Sequence, residues 1–457
     1  MKFLIYKKSI SINKILKNPK KSIPFNPKKI PLNPNSNALK LNNYMIEYQR
    51  FTLKNGLRVL IHTDESTPTA AFNLLYDVGS RDESPDKTGF AHLFEHLMFG
   101  GSKNIKDFDT YIQRAGGENN AFTNSDMTNF YMTMPAQNLE TAFWMESDRM
   151  LALNMTQKAL NTQRKVVVEE FKETTLDEPY GDVWHHLGEM AFTTHPYRYP
   201  TIGKEPAHIQ QALLSDVKQF YKKFYTPNNA ILVIAGNVDP QNCLFLAEKW
   251  FGDIPEGEKH VRNLPQEPPQ TALKRKVLKQ KIPVPAIYMA FHAPARLAED
   301  YHATDMLTDI LSTGTSSRLY RRLLKERRLF TEIDCYQTGT ADAGLLVVEG
   351  KPSEGVSLET AEAAIWAELE LLKTELVQNV ELQKFKNKLE SQQTFGDIGS
   401  LNKAMNLAYF EWLGNADWIN DEINAYLKIE AIDIQQVAQR YLHDWNCSVL
   451  YYVPEKA

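Results

Sequence analysis

The sequence predicts an α+β fold of two similar α/β-sandwich domains related by internal duplication, and three observations lead there. At 457 residues the chain exceeds what a single hydrophobic core usually fills. Strand, polar loop, helix, glycine break, further strand and long helices follow one another in the same order in both halves. A stretch dense in proline and charge lies between them.

Residues 1–44 stand apart from the rest. They hold ten lysines, five prolines and no acidic residue. Lys7, Lys8, Lys14 and Lys17 interrupt every apolar run that a secretory signal would need. At Met45 the composition becomes that of a folded protein. Met45 is read as the biological start, or residues 1–44 as a disordered arm; the expected compartment is the cytoplasm, with the periplasm as the alternative.

Residues 51–53 and 57–62 flank Asn55-Gly56 as a hairpin. Residues 70–76 form a β-rich run that enters the polar loop VGSRDESPDKTG, and 90–100 are apolar and helical. A helix over 108–115 stops at Gly116-Gly117. Residues 122–134 read as one strand, ended by Pro135 at a sheet edge. Helices follow over 139–153, 156–174 and 216–224, then an apolar strand over 230–235 and a helix over 243–251. Residues 252–274 read as a linker. Beyond it, strands are expected at 286–292 and 345–349, and helices at 302–311, 318–325, 358–374 and 382–391. The expected division is therefore 45–251 for the first domain and 275–457 for the second.

Composition excludes several classes. With 43% hydrophobic and 24% charged residues the chain can bury cores and is not disordered, and a net charge of -4 gives no reason to expect a nucleic-acid partner. No apolar run reaches the length of a membrane span, so no membrane partner is expected. Cys243, Cys335 and Cys447 are far apart, which argues against both a disulfide framework and a cysteine metal site.

The chemistry concentrates in GFAHLFEHLMF. His92 and His96 are four residues apart and so share one helix face, with Glu95 on the same side. Two imidazoles so placed can hold one Zn²⁺ while a carboxylate of the same turn meets a metal-bound water. The competing reading is a pair of hydrogen-bonded histidines near a helix end, which the surrounding Leu93, Phe94, Leu97, Met98 and Phe99 disfavour. An open zinc site calls for a third ligand, and TQRKVVVEEFKET supplies candidates. Glu170, with Val166 and Val167 one turn behind it, is the favoured one; Glu169, turned about 100° away, is the alternative. Glu173 is placed to steady Glu170 through a supporting contact.

Between these segments lies GGENNAFTNSDMTNFYMTMP. Its glycines and small residues suit a turn entering a strand whose edge an extended peptide could join through main-chain hydrogen bonds. The plainer alternative is a polar hairpin with no substrate role. His185, His186 and His195 are read as surface, packing or cleft residues, since adjacent histidines on a helix cannot repeat the 92/96 arrangement.

In this order, HLFEH, GGENNAFTNSDMTNFY and QRKVVVEE resemble the inverted zinc-motif metallopeptidases of the pitrilysin, insulinase and mitochondrial-processing-peptidase family, in its half-size bacterial-type form. The likeness runs from about residue 51 to about residue 442 and takes in STGTSSRLYRRLLKERRLF. It implies a zinc metalloendopeptidase forming half of a clamshell, cleaving oligopeptides or unfolded polypeptides. It further implies His92, His96 and Glu170 as zinc ligands and Glu95 as the general base, with Asn120, Ala121 and Phe122 at the substrate edge. A homodimer, or a heterodimer with a similar half-size subunit, would complete the chamber. Where many relatives carry an acid seven residues before the third ligand, this chain has Gln163. The Arg/Tyr pair that relatives supply from the opposite half has no clear counterpart, and Lys403 and Tyr409 lie in the nearest neighbourhood. The alternative function is a non-catalytic or partner-dependent subunit of a processing peptidase complex. The complete set of two histidines and two glutamates argues against it.

Overall fold

Asn55-Gly56 turns β1 (Gln49–Thr52) back onto β2 (Arg58–Thr63) in the expected antiparallel hairpin. The computed structural model describes residues 45–455; the leader of residues 1–44 lies outside the described residues. After β3 (Thr69–Tyr76) come α1 (Phe90–Met98), α2 (Phe108–Arg114), β4 (Glu118–Thr123), β5 (Thr128–Pro135), α3 (Glu140–Ala152) and α4 (Gln157–Phe171). Then follow α5 (Val183–Ala191), the short α6 (Pro206–Gln210), α7 (Leu214–Phe224), β6 (Ala230–Gly236) and α8 (Pro240–Phe251). The second half contributes β7 (Lys274–Gln280), β8 (Ala286–Ala293), α9 (Tyr301–Ser312), β9 (Phe330–Gln337), β10 (Gly344–Pro352), α10 (Leu358–Thr374), α11 (Asn379–Gly396), α12 (Ser400–Leu413), α13 (Trp418–Leu427), α14 (Ala431–Tyr441) and β11 (Cys447–Pro454).

The strands form two sheets, ordered β1-β2-β6-β3-β5-β4 and β7-β11-β8-β10-β9. With β1 set aside, the two orders correspond strand for strand. In each, the first pair is parallel and the other three are antiparallel. That shared pattern is the internal duplication, and it makes two α/β domains. In the first, Phe72, Leu74, Phe130 and Ile234 pack against Leu93, Phe94, Phe143 and Val167 of the helices. In the second, Met289, Phe291 and Val348 meet Met306, Ile310 and Ile365.

The opposite sheet faces are covered by an exchange. Leu407 and Ala408 of α12, from the second half, pack on Leu60, Ala71, Leu75 and Val233 of the first sheet. Leu187 and Ala191 of α5, from the first half, pack on Tyr288, Val347 and Leu450 of the second. Each sheet is thus closed by a helix from the other half, so residues 46–455 hold together as one unit.

Several elements differ from the expectation. Residues 122–134 are not one strand. An Asx turn at Asn124, whose side chain accepts the Asp126 and Met127 amides at 2.7 and 2.9 Å, divides them between β4 and β5. The sheet edge is β4, while β5, with Pro135, lies inside it. The polar composition of ENNAFT hides a strand that carries little apolar alternation. Residues 172–177 continue α4 as a π-helical turn, and 320–326 are likewise π-helical rather than α-helical. The linker ends in β7, whose KRKVLKQ pattern is that of a lysine-guarded edge strand.

Nor is the linker loose. Arg262 donates to Asp82 at 2.7 Å and to Asp77 at 2.9 Å. The Glu267 carboxylate accepts from the amides of Thr193, Thr194 and His195 and from both threonine hydroxyls, at 2.6 to 3.1 Å. Partial burial opposes ionisation of Glu267, yet these donors outweigh it and hold its pKa at about 2. A depressed carboxyl pKa contributes stability above its unfolded value, and that contribution is lost as pH falls toward the folded value. Glu267→Gln should therefore destabilise the protein at neutral pH and flatten the acid limb of a Tm-against-pH curve between about pH 4.5 and 2. An unchanged acid limb would show that Glu267 does not pin the linker.

No helix among the described residues is long and apolar enough to cross a membrane. All three cysteines are buried.

Candidate metal and catalytic centre

The helix α1 is built to be held still. Gly89 precedes it with φ of 87°, and a side chain there would meet the Ile202 carbonyl at 2.8 Å. The Glu83 carboxylate accepts from the first free amides, Gly89 and Ala91, both at 2.7 Å. Burial pushes the Glu83 carboxyl up to about 8 against the pull of those amides. Phe90, Ala91, Leu93, Phe94, Leu97 and Met98 are all buried. Phe94 stacks on Phe220 and Tyr225, with centroids 5.0 and 5.1 Å apart. With that apolar face fixed, His92, Glu95 and His96 turn together toward α4 and β4.

Glu170 comes to meet them from the last turn of α4. The Nε2 atoms of His92 and His96 are 3.3 Å apart, and Glu170 Oε2 stands 3.2 Å from His96 and 3.7 Å from His92. All three donor atoms lie within 4.8 Å of one another. Nitrogens 2.0 to 2.1 Å from one tetrahedral ion are separated by about 3.3 to 3.4 Å, so the donor set has the spacing and chemistry that zinc requires. The side chains are 14%, 24% and 28% exposed, open enough to admit a small ligand. Beside them Thr123 Oγ1 donates to Glu95 Oε2 at 2.7 Å.

The structure separates the two neighbouring glutamates of α4. Glu170 faces the histidines, while Glu169 points to solvent and pairs with Lys172 at 3.1 Å. Of the two valines one turn behind Glu170, Val167 is buried as expected but Val166 is 45% exposed. Glu173 is exposed on the π-helical turn, whose Thr174 hydroxyl bonds the Glu170 carbonyl at 2.7 Å.

On β4, Thr123 and Ala121 face α1, whereas Phe122 packs toward α12. Asn120 is exposed at the edge, its side chain accepting from the Ala121 amide at 2.8 Å. β4 pairs only with β5, leaving its outer edge open among the described strands.

The remaining histidines lie elsewhere. His185 bonds the Gly203 carbonyl at 2.9 Å, and burial lowers its pKa. His186 bridges Asp182 and Lys276 at 3.0 and 2.9 Å, and His195 faces Asp342 at 3.4 Å. Lys403 is occupied by Asp64 at 2.6 Å, and Tyr409 packs beside Arg296, so neither stands beside the histidine pair. Sequence reading overlooked Glu83 and Thr123. A glutamate before a glycine-headed helix could have signalled the first; the second needed the hairpin register.

A duplicated α/β fold with one histidine-glutamate cluster among the described residues, on a helix beside a strand edge, has the architecture of a metal-dependent hydrolase. The insulinase (peptidase family M16) model matches residues 58–205, and the peptidase M16 inactive domain model matches residues 213–389. The zinc protease PqqE of Helicobacter pylori is 28% identical over 427 residues, spanning 91% of this chain and 95% of that protein. The crystal structure of a protease from Helicobacter pylori superposes with a TM-score of 0.86 at 27% identity, over 90% of this chain and all of that one. Pitrilysin, at 20% identity, shares the fold with a TM-score of 0.71; 90% of this chain matches 45% of that one. The chain belongs to the M16 family of pitrilysin, insulinase and the mitochondrial processing peptidase, as a single half-size unit. It is a zinc-dependent peptidase acting on peptide substrates.

Proposed function

We propose that this chain is a zinc metalloendopeptidase in which His92, His96 and Glu170 hold the ion and Glu95 is the general base. The convergence of three donor atoms within 4.8 Å, with Glu95 on the same helix face, carries this reading. Bound zinc would supply Lewis acidity for an attacking water and for the scissile carbonyl. Glu95 would take the proton from the attacking water and return it to the leaving amine. Thr123 would hold the Glu95 carboxylate in line while this happens. Glu173, on the turn beyond Glu170, would support that ligand through solvent.

A substrate would lie extended along the free edge of β4 at Asn120, Ala121 and Phe122. Ala121 leaves room on the α1 side, and the three residues would bind chiefly through their main chain. A native helix or sheet has already used its own backbone groups, so oligopeptides and unfolded segments are the fitting substrates. A second half-size chain, identical or similar, would close the chamber. Cytoplasm, with the periplasm as the alternative, is the compartment this reading carries, and cell fractionation separates the two. The test is cleavage of one polypeptide in folded and unfolded forms, with native mass recorded. The unfolded form should be cut and the folded form spared, by a species of twice the chain mass. Equal cleavage of both forms would overturn edge docking, and an active monomer would overturn the closed chamber.

A further inference from the structure

The turn that joins β4 to β5 is gripped from both halves of the molecule. Gly79 lies so close to it that a side chain there would come within 2.4 Å of the Ser125 carbonyl. Ser80 and Arg81 donate their amides to the carbonyls of Asn124 and Ser125 at 3.1 and 3.0 Å. At its tip Asp126, 5% exposed, receives Arg81 at 2.9 Å, the Tyr197 hydroxyl at 2.5 Å and the Ala341 amide at 3.0 Å. Ala341 belongs to the β9–β10 loop of the second half. The same loop bonds Arg81 through Asp342 at 3.1 Å and the Tyr197 hydroxyl through the Asp342 amide, also at 3.1 Å. Trp412, on the exchanged helix α12, lies 5.6 Å beneath the Arg81 guanidinium.

Three residues before Asp126 stands Thr123, whose hydroxyl bonds Glu95. We infer that Thr123 and Asp126 are positioning residues, through which the β9–β10 loop of the second half fixes the strand edge and the Glu95 carboxylate of the first. The inference rests on the proposed role of Glu95 and assigns the second half a part in the reaction. A buried ion pair makes a stiff anchor, because displacing either partner strands the other in a low-dielectric site. Asp126 meets three partners here, Arg81, the Tyr197 hydroxyl and the Ala341 amide; Ala341 comes from the second half, and Asp342 of the same loop backs the other two through Arg81 and Tyr197.

The coupling is tested by a double-mutant cycle on full-length, zinc-loaded protein, reading kcat, KM, zinc content and Tm for Thr123→Val, Asp126→Asn and the pair. Each single change should lower kcat by about 10- to 100-fold with KM nearly unchanged and zinc retained, the loss expected from a slightly misplaced group. The pair should be no worse than the poorer single variant. Thr123→Ser should restore most of the activity. Full kcat in Thr123→Val, or multiplicative losses in the pair, would overturn the inference. Should Asp126→Asn fail to fold, Tyr197→Phe removes only the bridging hydroxyl. It should lower kcat in the wild-type background and not in Thr123→Val, whereas a fall in Tm with kcat intact would mark the contact as structural only. Activity retained by Glu95→Gln in the same assay would instead remove the reading on which the inference stands.

Discussion

Glu95→Gln should keep its zinc and lose peptide hydrolysis by roughly 10²- to 10⁴-fold, the span that a positioned general base contributes. The amide is nearly isosteric with the carboxylate and can still meet the Thr123 hydroxyl 2.7 Å away. It cannot take a proton at neutral pH. Because Glu95 is outside the three-donor cluster, metal content should stay at the wild-type level. KM should change little, since the substituted group meets the reacting water and not the peptide's main chain. Wild-type turnover in Glu95→Gln would assign the proton transfer to another group.

Glu170→Gln should behave in the opposite way and lose the metal itself. The carboxylate is the single anionic member of the cluster, 3.2 and 3.7 Å from the two imidazoles. An amide offers a weaker oxygen donor and removes the charge that offsets the cation. Losing a mere supporting hydrogen bond costs a metal site about 10- to 100-fold in affinity, and losing an anionic ligand should cost more. Glu169→Gln is the matched control. Its carboxylate is 62% exposed and pairs with Lys172, so zinc affinity and activity should stay as they are. The contrast between adjacent glutamates tests helix phase directly. Equal metal loss in both variants would mean that Glu170 acts through the helix as a whole and not as a ligand.

The part of the site legible in the sequence is the part set by local spacing. His92, Glu95 and His96 lie within one turn of one helix, and nothing remote is needed to bring them together. Glu170 was a choice between neighbours, because the phase of α4 depends on which valine is buried, and Val166, counted as packing, is exposed. Thr123 and Asp126 could not be singled out, since their importance depends on the register of β4 with β5 and on a loop more than two hundred residues away. The fold divides in the same way. Apolar strands such as β3, β6 and β8 announce themselves, whereas β4 is polar and β7 lysine-rich because each is a sheet edge. The exchange of α5 and α12 leaves no local trace. Each helix shows an apolar face, but only the assembled chain decides which sheet that face covers.

That exchange also explains why a duplicated protein with one histidine-glutamate cluster among its described residues would keep its second half. The first sheet is covered by α12 and its edge hairpin is gripped by the β9–β10 loop, so the half that carries the histidine-glutamate cluster lacks a finished surface on its own. The central claim, however, concerns the cluster on α1 and α4. Zinc content and oligopeptide hydrolysis measured together on the wild type, Glu95→Gln and Glu170→Gln test it most directly. The expected result is one zinc per chain with activity in the wild type, zinc without activity in Glu95→Gln, and neither in Glu170→Gln. An active Glu95→Gln, or a Glu170→Gln that holds zinc as tightly as the wild type, would contradict it.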